Sequence, residues 1–376
     1  MARILNEEQQ LIRQAVRSFA QNEVRPAFQK HDRENSFPME LHRRCGELGF
    51  LGADVPEECG GAELSLASSL MILEEVSKEM PALGCSLMVS MTVPLFLYCD
   101  SNPEHNKLIP ELISGEKVGA MAETDPAGVL NITEWPVLGV KDGKDYILNG
   151  TKLFVTNAQA ADYMVVSGMV GGKPRRFLLK KGMPGLDCGH ADMKMGMNGA
   201  GNGTIVMHDV RVPASDEVIM NKMTNNLAAG YLHISSVALG CMEGAYEKTR
   251  EYLNVRTNAG KPIIQMQAAA HEMAQIKTKI EACRSFIDDA AALVAAGKPD
   301  STLIRMVKVF VTDTAVECTR QCIQLYGGLG YCEETGIAHY MRDAVGATIG
   351  DLTAPIQTDY IAKALAKLDA KNKKFY

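Results

Sequence analysis

The hydrophobic pattern of this chain changes period twice, and no motif limits its possible folds as strongly as that change. From residue 6 to about 118 the apolar residues recur at helical spacing. Leu11, Ala15 and Phe19, with Ile12 and Val16 beside them, form one stripe behind Asn6, a good N-cap followed by the acids Glu7 and Glu8. Pro26 marks an early break in that pattern. Leu70 to Met80 and Pro94 to Leu97 fall in further helices, joined by the turn-rich run Pro56 to Gly61. From about 119 to 215 the signal becomes short strands: Asp145 to Leu148, Thr151 to Thr156, Tyr163 to Gly168, Phe177 to Lys180 and Gly203 to Val212. Asp142-Gly143 and Asn149-Gly150 between them read as hairpin turns. The helical period then returns over Tyr231 to Ala259, Gln265 to Ala296 and Ser301 to Leu325, with a short break at Gly327 to Gly330. This order predicts an α+β fold: an N-terminal helical domain over 1–118, a middle β-barrel or sandwich domain over 119–225, and a C-terminal four-helix-bundle domain over 226–376.

The bulk properties narrow the function. A length of 376 residues suits about two or three domains. A net charge of −6 speaks against a nucleic-acid surface, which needs clustered Lys and Arg. The one dense basic run, Lys371 to Lys374, reads as a solvated tail. No stretch reaches the ~18 apolar residues of a membrane helix. Leu5-Asn6-Glu7-Glu8 opens straight into helix, so no signal peptide is expected. The ten cysteines form no Cys-x-x-Cys pair. Cys318 and Cys322 share a helix face without completing a zinc set, so they read as core thiols and the expected compartment is the reducing cytoplasm. The eight histidines show no metal spacing, and no metal is expected.

Two stretches carry the chemistry. The first is Thr124-Asp125-Pro126-Ala127-Gly128, followed by Lys152-Leu153-Phe154-Val155-Thr156-Asn157. The second is Gln324 to Tyr331 (QLYGGLGY), then Met341-Arg342-Asp343-Ala344, then Ile349-Gly350-Asp351-Leu352-Thr353-Ala354-Pro355-Ile356-Gln357. In this order, and over essentially the whole chain, they resemble the acyl-CoA dehydrogenase family, including its cyclohexane-1-carboxyl-CoA dehydrogenase branch. The resemblance implies FAD as cofactor, an acyl-CoA substrate, an electron-transfer flavoprotein as acceptor, and a homo-oligomer, usually a tetramer.

It also implies sites. The loop from Met121 to Leu130, with Thr124 foremost, would supply donors to the flavin edge, Phe154 the flat wall, and Thr156 the partner of N5. Phe154 stands where the family has Trp, which keeps a ring but loses area and an N–H. Read from the strand alone, Phe154 and Thr156 simply alternate across it. Arg256 has the position of the pyrophosphate arginine, whose fork donates parallel bonds to phosphate. Gln267 would lie by the adenine, where Ala259 replaces a usual Phe. Gln324, Gly327 and Gly328 match the loop that reaches a neighbouring subunit's FAD, glycine allowing close backbone approach. Thr353 completes the cofactor set.

The implied reaction removes an α-proton as H⁺ and a β-hydrogen as hydride to flavin N5. Desolvation would lift a carboxylate base from its reference pKa near 4. The usual Glu of the family is here Asp351, a retreat of ~1.5 Å. The other base position of the family falls on Gly230, which cannot serve. Spacing alone reads Asp351 as a helix N-cap. A base set back, beside Gly350 in place of the usual Tyr, leaves room for a substrate bulky at the α-carbon, such as an alicyclic ring. Leu130, Gly230, Tyr231 and Gly350 are the candidate substrate contacts. The charged CoA contacts of the family are absent at Ala228 to Tyr231, and Val129-Leu130-Asn131 replaces another polar contact. Trp135 lies just beyond that loop, in a core or surface-anchor role. An enoyl-CoA reductase, an oxidase, or a non-catalytic binding subunit on the same scaffold are the alternatives.

Overall fold

The computed structural model describes residues 5–126 and 137–372. Its N-terminal part is helical: α1 (Glu7–Phe19), α2 (Arg25–Glu34), α3 (Met39–Glu47), α4 (Leu66–Ser77), α5 (Pro81–Tyr98) and α6 (Ile109–Ile113). Asn6 caps α1 in a full capping box with Gln9. Pro26 does not break the chain. A π-type turn over Ala20–Val24 carries α1 into α2, so the proline falls in the first turn, where its missing N–H costs nothing. Helix α5 corrects the membrane expectation. Its 18 residues have a mean hydropathy of 1.5, enough to cross a bilayer by length and composition, yet the helix is 78% buried. It is apolar all round because neighbours cover it on every side.

The middle part is a seven-stranded mixed sheet: β1 (Gly119–Ala122), β2 (Leu138–Asp142), β3 (Asp145–Val155), β4 (Tyr163–Val170), β5 (Lys173–Lys180), β6 (Leu186–Ala191) and β7 (Gly203–Pro213). Strand β5 borders β4, whose other edge is shared end to end by β1 and β2; β3, β7 and β6 follow. Met164, Val166, Phe177, Leu179, Ile205, Met207 and Val210 fill a core on one face. Val165 and Leu178 point the other way, into the helical core. Alternation on β4 and β5 therefore fastens the sheet to the helices.

Asp142-Gly143 does start a tight turn, since Asp142 pairs with Asp145. Asn149-Gly150 does not. Asp145 to Val155 is one strand, and Asn149-Gly150 lies in it opposite a bulge at His208-Asp209 of β7. The Asn149 amide exchanges two hydrogen bonds with Asp209, of 2.9 and 2.8 Å, and Gly150 takes φ 136°. The turn-forming residues face that bulge instead of reversing the strand.

The C-terminal part holds α7 (Asn225–Ala229), α8 (Leu232–Val255), the small hairpin β8 (Thr257–Asn258) and β9 (Lys261–Pro262), α9 (Gln267–Ala295), α10 (Ser301–Leu325), α11 (Ala338–Ile349) and α12 (Ala354–Asn372). Helices α8 to α11 pack on one another, and α4 lies along α8. A Cβ on Gly240 or Gly244 would meet the Glu74 or Lys78 carbonyl oxygen at 2.2 or 2.1 Å, so α8 and α4 touch backbone to backbone. Buried ion pairs stitch the same seam: Arg284 to Glu74 and Glu243, Lys78 to Glu75 and Glu243. The helix expected to run to Ala259 stops at Val255, because Ala259 and Gly260 both take positive φ in the hairpin turn.

Candidate functional site

Asp351 sits in the short link between α11 and α12. It and Leu352 take φ 51° and 71°, two successive non-glycine residues in the left-handed region, at a cost of ~1 kcal/mol or more each. Three side chains brace that backbone. Lys308, fully buried on α10, donates to the Thr348 and Leu352 carbonyls at 2.8 Å each. Gln357, fully buried on α12, donates to the Asp351 carbonyl at 2.9 Å. Arg305, one turn before Lys308, donates to Gln357 Oε1 at 2.5 Å. Helix α12 begins at Ala354 with Gln357 N–H on the Thr353 carbonyl, so Thr353 holds the N-cap position and Asp351 lies two residues upstream. The N-cap reading of Asp351 therefore fails.

The Asp351 carboxylate has no hydrogen-bond partner among the described residues. It is exposed to solvent, yet burial by surrounding protein pushes its carboxyl above the usual range, against the Lys308 ammonium, which pulls it down. A carboxylate on the wall of a concave site has both properties. The Cys85 thiol on α5 feels both this carboxylate and the Thr156 hydroxyl, and burial pushes it up to about 12. Helix α5, the end of β3 and the α11–α12 link therefore converge.

The end of β3 is bulged between Lys152 and Val155. Phe154 takes φ 55° and leaves its ring 64% exposed, so Phe154 and Thr156 do not simply alternate across a strand. Asn202 donates to the Thr156 hydroxyl at 3.0 Å. Lys152 is buried and donates to the Glu123 carbonyl (3.0 Å) and Ser167 (3.0 Å), with Asp125 at 3.4 Å. Leu153 N–H donates to the Thr124 carbonyl at 2.8 Å, which seats Thr124 and Met121, both half-buried, against this strand. Asn157, at φ 70°, holds the turn to α5 and β1 by bonds with Ser86, Ser90 and the Gly119 carbonyl. Leu130 and Trp135 lie outside the described residues.

Open space surrounds the positions where the family's larger side chains are missing. A Cβ on Gly230 would meet nothing within 4 Å, and one on Gly350 only the Gly346 carbonyl oxygen, at 3.5 Å. Tyr231 joins the Asp351 link through Arg305, whose guanidinium lies 5.1 Å from its ring centroid and 3.4 Å from its hydroxyl.

Arg256, Gln267, Gln324, Gly327 and Gly328 form a second, exposed group. Tyr252 stacks on Tyr326 (4.1 Å, 8°), which brings the end of α8 to the end of α10. Arg256 has no carboxylate partner among the described residues, and Cβ atoms on Gly327 or Gly328 would meet nothing within 4 Å. Tyr231, and through Arg305 and Gln357 the Asp351 link, lies at the start of α8, and Arg256 follows its end. The 24 residues of α8 span about 36 Å between those two points.

Models of the acyl-CoA dehydrogenase N-terminal, middle and C-terminal domains match residues 6–116, 120–210 and 220–366. The chain belongs to the acyl-CoA dehydrogenase family. It is similar to an acyl-CoA dehydrogenase of Bacillus subtilis, at 30% identity over 96% of this chain and 98% of the relative. It is also similar to the cyclohex-1-ene-1-carbonyl-CoA dehydrogenase of Syntrophus aciditrophicus, at 32% identity over 90% and 85%. The solved structure of butyryl-CoA dehydrogenase from Megasphaera elsdenii superposes with a TM-score of 0.90, at 27% identity over 97% of this chain and all of that one.

As a member of this family the chain is an FAD-dependent oxidoreductase that dehydrogenates an acyl-CoA. The residues present fit that cofactor: an exposed aromatic side chain, Phe154, two residues before the Thr156 hydroxyl, a guanidinium with no carboxylate partner among the described residues, and a glycine pair with open space. Sequence reading missed Lys308, Arg305, Cys85 and Asn202. Lys308 left a signal, since a lysine lies on the apolar face marked by Ile304, Val307 and Val311 of α10. The other three leave none, because their partners are distant in sequence.

Proposed function

We propose that Asp351 is the base that takes the α-proton of the acyl-CoA, and that the substrate is bulky at that carbon, as an alicyclic thioester such as cyclohexane-1-carboxyl-CoA is. One observation carries the reading: an unpartnered carboxylate, raised by burial, on a braced link flanked by open space at Gly350 and Gly230. A raised pKa brings the base nearer to the activated carbon acid and eases the transfer. The link holds the carboxylate at one place, so the shorter side chain is not offset by a mobile backbone. The similarity to a relative named for a cyclohexene carbonyl thioester supports the same substrate class.

FAD, when bound, supplies the acceptor for the β-hydrogen. Phe154, Thr156, Thr124 and Met121 would hold its ring system, and Arg256, Gln267, Gln324, Gly327 and Gly328 the far end. About 36 Å of α8 lies between Tyr231 with the Asp351 link and Arg256, which supports one chain's offering a given cofactor only one of the two groups. A second subunit would bring its Arg256 group to this chain's Asp351 group, which supports an oligomer, a tetramer by family habit. Electrons would leave to an electron-transfer flavoprotein in the cytoplasm.

The test is anaerobic bleaching of the purified yellow protein by a panel holding butyryl-CoA and cyclohexane-1-carboxyl-CoA. Faster bleaching by the ring thioester is expected. A strong preference for the linear chain sinks the alicyclic reading, and full turnover by Asp351→Asn sinks the base.

A further inference from the structure

Helix α10 carries an arginine whose polar partners among the described residues lie at the candidate site. Arg305 is half-buried and makes no ion pair with a carboxylate among the described residues. Its guanidinium lies 4.3 Å from the Tyr360 ring centroid and 5.1 Å from that of Tyr231. These aromatic faces fix its plane without taking its N–H donors. One donor nitrogen bonds Gln357 Oε1 at 2.5 Å and approaches the Tyr231 hydroxyl at 3.4 Å.

Gln357 is the next step. Its side chain is fully buried, and an amide has one acceptor oxygen and one donor nitrogen. With Arg305 on the oxygen, the amide is oriented so that the nitrogen faces the link, where it donates to the Asp351 carbonyl at 2.9 Å. Without Arg305 the amide is free to rotate, and an oxygen turned toward the Asp351 carbonyl would repel it. The backbone it holds is the least relaxed in the site, with Asp351 and Leu352 both left-handed.

We propose that Arg305 is a positioning residue for the proton transfer, acting through Gln357 to hold the Asp351 backbone and with it the carboxylate. Arg305 does not touch the reacting carbon; it decides where the base stands. The inference rests on the reading of Asp351 as the base and goes beyond it. Lys308 braces the opposite side of the link by a separate route, through the Thr348 and Leu352 carbonyls. Loss of Arg305 therefore loosens the link without dissolving it.

The experiment compares wild type, Arg305→Met, Arg305→Lys and Asp351→Asn as FAD-loaded full chains. Each is assayed with the panel thioester that the wild type turns over fastest, and with its α-deuterated form. Arg305→Met keeps the stem and loses the donors. It should lower kcat about 10- to 100-fold at nearly unchanged KM, since a base misplaced by ~1 Å costs that much. The α-deuterium isotope effect on kcat should grow, with flavin content and Tm kept. Arg305→Lys, which still offers a donor to Gln357, should recover most of the rate. A rise in KM at constant kcat makes Arg305 a substrate contact and overturns the proposal. So does an unchanged kcat, or a loss of rate that follows loss of flavin. If Asp351→Asn is inactive, such a result leaves the base reading standing; if Asp351→Asn keeps turnover, both fall.

Discussion

Replacing Lys308 by methionine keeps the aliphatic stem and removes the ammonium, with its charge and its two hydrogen bonds to the Asp351 link. Burial pulls Lys308 down to about 8, against Asp351 and Asp313, which push it up. The drop from 10.5 to about 8, at ~1.4 kcal/mol per tenfold change in proton affinity, is at most ~3.5 kcal/mol. Water in the adjoining hollow reduces that to about 2 kcal/mol. The lowered value belongs to the folded protein, so between about pH 8 and about pH 10.5 the unfolded chain holds more protons. The penalty is fully present below that window and is lost as pH rises through it. Wild-type stability therefore gains about 2 kcal/mol across the window relative to Lys308→Met. Urea unfolding of both proteins at one protein concentration, from about pH 7 to about pH 10.5, reads the difference. A second consequence falls on Asp351. The ammonium lowers its carboxyl, so loss of the charge lets burial raise it further, and the acidic limb of kcat against pH moves to higher pH. Parallel stabilities across the window, or an acidic limb that stays or moves down, would refute this account.

Asp351→Asn should cut kcat by about 10²- to 10⁴-fold, the range of a lost general base, with FAD retained; stopped-flow bleaching reads it. Asp351→Glu advances the carboxylate by ~1.5 Å and should lower turnover of the ring thioester relative to butyryl-CoA by about tenfold or more. Equal effects on both substrates would remove the steric argument. Arg256→Ala should weaken FAD retention by about 10- to 100-fold, the worth of a charged hydrogen bond to phosphate, as read by flavin released on gel filtration. Asn157→Ala leaves Ser86, Ser90 and the Gly119 carbonyl unpartnered in the interior and should cost about 3 kcal/mol in urea unfolding.

Much of the fold was legible because long periodic segments report themselves. Helix α10 runs over Ser301–Leu325, as its pattern predicts, and β7 covers Gly203–Pro213 with one extra residue. Failures came where local chemistry met a distant partner. Asn149-Gly150 is a good turn in isolation; paired with Asp209 it stays in a strand, opposite a bulge of β7. Pro26 breaks an α-helix, yet a π-type turn carries the chain past it. Helix α5 meets the length and apolarity of a membrane span, and only its burial among the other helices marks it as core.

The sequence by itself determined the order of layers, the family, and that a carboxylate, Asp351, stands where the family resemblance puts the proposed base. It also determined the absences that shape the site, since Gly230 and Gly350 are small whatever surrounds them. Tertiary structure decided how that carboxylate is held. The left-handed Asp351–Leu352 pair is set by Lys308 and by Arg305 through Gln357. Phe154 is turned outward by a bulge whose register is set by β7. In both places the backbone leaves its favoured region, and only bonds from elements far along the chain make that conformation the stable one.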